Sequence, residues 1–268
     1  MISLADFGIG HFVTWLLVLA RTAGVFVSAP VLGNAHVPVP TRIALAACLA
    51  LIFTPLVAAD RTGAFGGLSA ASPGLPELAA SMVKEAVVGV MIGFAGMLLF
   101  MVVQCAADMI NLQMGLGFGS LVDPTMNQQT SVVGQFHYLA ATLLFLATNA
   151  HHLLLRGLAD SFNALPLGQL SLGPEAGQAV LGVFARLFVA GIKIGGPIVG
   201  VILLTDVALG ILSRTMPQLN VLVVGFPAKI LVGLVAVVVA LPAVFVALQS
   251  LFFGLPGDIH VLMSALAR

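Results

Sequence analysis

The sequence predicts an all-α membrane protein built from about six apolar helical segments. Three observations carry that expectation. Of the 268 residues, 60% are hydrophobic and only 7% are charged, against about 25% charged in soluble domains. Uncharged runs such as Ala86 to Ala107 and Ile230 to Phe253 reach the roughly 20 residues needed to cross about 30 Å of hydrocarbon. No apolar alternation of period two competes with them.

In chain order the segments are Phe12 to Leu32, Arg42 to Ala59, Ala86 to Ala107, Val132 to Leu155, Leu187 to Ile211 and Ile230 to Phe253. The first reads as a retained helix rather than a cleaved signal. Asp6 is the only charge before its apolar run, and Arg21 interrupts that run, whereas a signal needs a basic start and a clean apolar core. Gly-, Pro- and Ser-rich stretches at Asp60 to Pro76 and Leu165 to Gly177 read as loops. No domain boundary is evident, so residues 1–268 read as one domain.

Charge excludes several functions and sets others in relief. Ten basic and ten acidic residues cancel, so there is no positive field for nucleic acid. Basic residues recur in successive connections, often beside an acid, so the positive-inside rule gives no topology. Cys48 and Cys105 form no metal or redox motif and read as small buried apolar residues.

Helix faces say more. Gly89, Gly93 and Gly96, with Ala86, form one small-residue stripe. Gly225, Gly233, Ala236, Ala240, Ala243 and Ala247 form another, with Lys229 one turn from two of its glycines. Such stripes let helix backbones approach where lipid gives no hydrophobic drive. Arg21 shares a polar face with Thr14, Gly24 and Ser28, and Lys193 shares one with Arg186. A charge at membrane depth costs at least about 2.5–3.5 kcal/mol. Arg21, Lys193, Asp206 and Lys229 are therefore candidate buried or intersubunit charges. Snorkelling toward headgroups suits Arg42 and Lys84 better. Gly195-Gly196-Pro197, Met216-Pro217 and Phe226-Pro227 are expected helix breaks.

Enzymatic signatures are missing. There is no Walker motif and no HExxH. Gly115, Gly117 and Gly119 are spaced as GxGxG, which is not a dinucleotide fingerprint. The adjacent pair His151-His152 points about 100° apart on a helix and cannot chelate as an i,i+4 pair would. No nucleophile–base constellation, cofactor motif or metal site can be argued, so the expectation is a non-enzyme.

The same glycines sit in "NLQMGLGFGSLVDP", residues 111–124. Gln104, Asp108 and Asn111 continue one face of the preceding helix into a polar place. Asp123 reads as an N-cap with Pro124 at the first helical position. Residues 112–122 are then a pliable apolar connection. Gln113, Met114, Gly115, Gly117, Phe118, Gly119, Asp123 and Pro124 are its candidate functional residues, and glycines beside Met and Phe suit a deformable seal.

The run "LQMGLGFGSLVDP" (112–124) resembles the signature of the FliR family of the flagellar type III export apparatus. So, in order, do "SAPVLGNAHVPVPTRIALA" (28–46), "FLATNAHHLLL" (145–155) and "ALGILSRTMPQLNVLVVGFPAKILVGL" (208–234). The virulence-type SctT branch is the nearest alternative. Gln113-Met114-Gly115, Asp123-Pro124 and His151-His152 look more flagellar. The resemblance implies a subunit of an export gate in the bacterial inner membrane at the flagellar basal body. It would assemble with FliP and FliQ as a channel for unfolded flagellar subunits, with FlhB and FlhA as further partners. It implies a FliP-like part over 1–160 and a FliQ-like part over 178–268, joined as helical hairpins, with the 112–122 loop as pore plug. A small-solute transporter is a competing reading. It would use Gly195-Gly196-Pro197 as a broken helix and Lys193 and Asp206 as contacts.

Overall fold

A computed structural model describes residues 4–31, 33, 37–59, 74–116, 132–171, 173–216, 218 and 221–267. Among them every regular element is a helix: α1 (Leu4–Ser28), α2 (Val39–Ala59), α3 (Leu75–Met114), α4 (Val132–Ala147), α5 (Ala150–Ala164), α6 (Pro174–Thr215) and α7 (Val221–Leu266). Five are long and apolar enough to cross a membrane, and α4 with α5 makes a sixth if the bent pair counts as one span. The chain is an all-α membrane protein.

Helix starts follow from local chemistry. Pro40, Pro76 and Pro174 lie in the first turns of α2, α3 and α6, where a missing N–H costs nothing. Glu77 and Glu175 add acid at the positive ends of α3 and α6. The three longest helices exceed the sequence expectation. With 40, 42 and 46 residues, α3, α6 and α7 are about twice the length of a minimal span.

Three expectations are corrected. The segment 132–155 is not one helix: α4 and α5 meet at 67°. Asn149 causes the break by taking the left-handed conformation (φ 55°), which Asn tolerates better than most residues. The breaks expected at Gly195-Gly196-Pro197 and at Phe226-Pro227 are absent, and α7 runs unbroken through Pro227. α6 runs unbroken through Pro197, so it is not the interrupted helix of a transporter. The cysteines are not buried: Cys48 is exposed and Cys105 partly so. Ala46 and Ala50 turn inward on α2, and residue 48, half a turn from both, must face out.

The residues cluster into two compact units, each assembled from separate stretches. One comprises Met1–Leu98, Asn149–Phe184 and Phe253–Arg268; the other comprises Leu99–Thr148 and Ala185–Phe252. In the first, α1 lies along the glycine stripe of α3. A methyl group at Gly24 would come within 3.0 Å of Gly89 Cα, and one at Gly96 within 2.9 Å of Pro30 Cδ. Gly93 meets Ser28 and Val25, and Ser28 Oγ donates to Val90 O at 2.9 Å. The Gly89, Gly93 and Gly96 stripe is thus filled by the chain's own α1 and by Pro30 just beyond it. Thr22 Oγ1 reaches Ala46 O on α2 at 3.3 Å.

The second unit has two apolar centres. Phe100, Phe145 and Phe252 pack with ring centroids 5.3–6.1 Å apart, the separation aromatic pairs favour. Ala107, Ile110, Met114, Val133, Ile198, Ile202 and Val237 form the other, with Ile230, Ala236 and Ala240 against it.

Candidate functional site

Two polar clusters sit inside this apolar chain, one in each unit. In the first unit Arg21 is fully buried. Its Nε donates to Glu85 Oε2 at 2.6 Å. One terminal nitrogen donates to Ser161 O and Oγ at 3.1 Å each. The other reaches Leu165 O at 3.0 Å. The guanidinium also stacks 4.5 Å from the centre of the Phe162 ring. Glu85 uses its second oxygen to accept from Gly168 N at 2.7 Å. Every nitrogen of the guanidinium and both carboxylate oxygens are engaged. That is what makes burial tolerable, since an unmet buried partner costs about 1–3 kcal/mol. The cluster ties α1, α3 and α5 together and offers no free group for chemistry.

The second cluster lies at the end of α3. Gln113 Nε2 donates to Asp206 Oδ2 at 3.1 Å, and Asp206 Oδ1 accepts from Lys229 Nζ. One carboxylate on α6 therefore bridges the last turn of α3 and the third turn of α7. The Asp206 and Lys229 side chains are 31% and 23% exposed. That is buried enough for the charge-assisted bonds to be stronger than the near-neutral pairs of an open surface. A carboxylate, an ammonium and an amide that satisfy one another hold a structure; they leave no base beside a nucleophile.

Below this bridge the backbone closes in a defined way. Gly115 takes φ +79°, its N–H donates to Leu112 O at 3.0 Å, and Leu116 N–H donates to Asn111 O at 3.2 Å. These paired bonds cap a helix through a left-handed glycine. Phe226 of α7 covers the cap, so a methyl group at Gly115 would lie 2.6 Å from its Cε1. Met114 is fully buried in the apolar centre above Gly233.

The structure thus changes the picture of 112–122 as one pliable connection. Helix α3 continues to Met114, and residues 113–115 are a fixed anchor with a core of their own. Leu112 is 72% exposed. Gly117, Phe118, Gly119, Asp123 and Pro124 lie outside the described residues. In the second stripe Gly225 and Gly233 are buried, Ala236 and Ala240 face the apolar centre, and Ala243 and Ala247 line a groove beside α6. Lys193 is exposed on that groove. Sequence reasoning missed Glu85 as the partner of Arg21 and missed Gly115 as a helix cap. The Met-Gly dipeptide after a polar helix face is the signal for the cap.

With this geometry in view, the relatives are informative. Residues 12–255 match the pattern of the bacterial export proteins, family 1. The chain belongs to that family. Its flagellar biosynthetic relatives in the export family include FliR of Bacillus subtilis (strain 168), 35% identical over 85% of this chain and 86% of that protein. FliR of Escherichia coli (strain K12) is 31% identical over 81% and 79%. FliR of Caulobacter vibrioides is 26% identical over 81% and 84%. The export-family match spans both polar clusters and the capped end of α3.

Proposed function

We propose that the chain is a core, non-catalytic subunit of the flagellar type III export gate. It assembles with FliP-like and FliQ-like proteins into the channel for unfolded flagellar subunits, beside FlhB and FlhA, in the inner membrane at the basal body. Residues 1–160 act as the FliP-like part and 178–268 as the FliQ-like part.

The observation that carries the reading is the anchor of the apolar 112–122 segment. Gln113 is bonded to the Asp206–Lys229 pair, Met114 is buried, and Gly115 caps the helix under Phe226. A plug must seal and yield without its base moving. An apolar, glycine-rich segment on a rigid base has that property, and the flagellar names of the relatives fit it. Energy for transport then comes from other components.

The test is co-purification. The tagged chain is expressed with its genomic neighbours in mild detergent, and the accompanying proteins are identified. A stable complex with FliP-like and FliQ-like subunits is expected. A lone monomer or homodimer overturns the reading.

A further inference from the structure

Lys193 stands near the middle of α6, and among the described residues it makes no ion pair. Asp206, the next acid along the helix, is about 20 Å away at 1.5 Å per residue and is already held by Lys229 and Gln113. Lys193 lies instead on a groove of about 260 Å³ between α6 and α7. Ala190 and Pro197 form one wall, and Ala240, Ala243 and Ala247 the other. The ammonium is the charged group of an otherwise apolar lining whose Ser250 hydroxyl is spent on Ala247 O at 2.7 Å.

Two features of this groove ask for a polar occupant. An ammonium in an apolar span is costly unless paired with an acid. Pro197 has no N–H, so the Lys193 carbonyl four residues earlier lacks its ordinary helical donor. An acyl chain answers neither need. A helix answers both, because it can carry a carboxylate and a side-chain donor together. The alanine walls permit the close backbone approach by which membrane helices associate.

We propose that this groove receives an apolar helix of a partner export-gate subunit, and that a carboxylate on that helix pairs with Lys193. The proposal rests on the export-gate reading and adds where, and by what chemistry, one partner docks.

The experiment places a photo-crosslinking residue at Ala243 in the full chain, co-expressed with the FliP-like and FliQ-like proteins, and maps the captured peptide. A partner helix with Asp or Glu within one turn of the crosslink is expected. Lys193→Glu then reduces the co-purified partner at least about tenfold, Lys193→Arg retains it, and exchanging the partner's acid for lysine restores binding to Lys193→Glu. Ala243→Phe, which fills the groove with the charge intact, gives the same loss. Capture of lipid alone, of a second copy of this chain, or of a segment without a carboxylate overturns the docking, as does undiminished binding by Lys193→Glu. If the wild-type chain recruits neither protein, the gate reading and the docking both fall. If it recruits them but the groove captures something else, the docking alone falls.

Discussion

Met114 rests on the backbone of Gly233: a methyl group at Gly233 would come within 2.7 Å of Met114 Cγ and 2.9 Å of its sulfur. The thioether is flexible enough to retreat a little, but its surroundings are fully packed. Gly233→Ala should cost about 1 kcal/mol and Gly233→Leu up to about 3 kcal/mol, the range for overfilling a core. Thermal unfolding of the purified protein in detergent reads this directly. An unchanged midpoint for Gly233→Leu would mean that Met114 is not held there.

Gly115 is subject to two separate demands. Its φ of +79° disfavours a side chain by about 1–2 kcal/mol, and the Phe226 ring blocks the space. Gly115→Ala should therefore be less damaging beside Phe226→Ala than alone, while the conformational part of the cost persists in both. A double-mutant cycle on unfolding midpoints separates the two. Strict additivity would show that the ring does not press on the cap.

Arg21→Met leaves Glu85 buried with one oxygen unmatched and should destabilise the protein by about 3–5 kcal/mol. Removing both charges, as Arg21→Met with Glu85→Leu, should recover much of that loss, because the orphaned charge goes with its partner. If the double variant is no better than the single one, the remaining contacts of Arg21 with Ser161 and Leu165 carry the cluster.

Asp206→Leu removes an acceptor from two neighbours at once, Gln113 and Lys229. It should cost about 1.5–3 kcal/mol for bonds to a charged group and speed amide exchange across residues 110–116. Lys229→Leu should do the same more weakly, since Gln113 keeps its bond. Native exchange rates in both variants would dissociate the ion pair from the anchor.

If residues 112–122 seal a channel, deleting Gly115 to Gly119 leaves it open. Cells expressing the complete gate with this deletion should leak ions, whereas Leu112→Ala, on an exposed helical position, should not. Conductance measurements on cells or proteoliposomes decide it.

Much of this molecule could be read from its residues. Hydrophobic run length marks the helices because a span must satisfy its own backbone. The stripe of Gly89, Gly93 and Gly96 is legible because packing glycines recur on one helical face. Pairings were harder. Glu85 lies 64 residues from Arg21, Asp206 is 93 from Gln113, and nothing in local periodicity joins them. The 67° bend at Asn149 was hidden because apolar residues flank it on both sides. Pro197 misled for the opposite reason: a proline within a long helix removes one bond but does not oblige a break when neighbouring turns persist.

The interleaving of the two units along the sequence bears on how the chain folds. The unit that begins with α1 is completed by residues 253–268, where Leu255, Ile259, Leu262 and Met263 are at most 2% exposed. Ser171 N–H meets Leu266 O at 3.0 Å. The unit that holds α1 is therefore complete only once residues 253–268 are in place. Closure between segments so distant in sequence is slow. Substitutions in residues 253–268 would therefore loosen the same unit that holds α1.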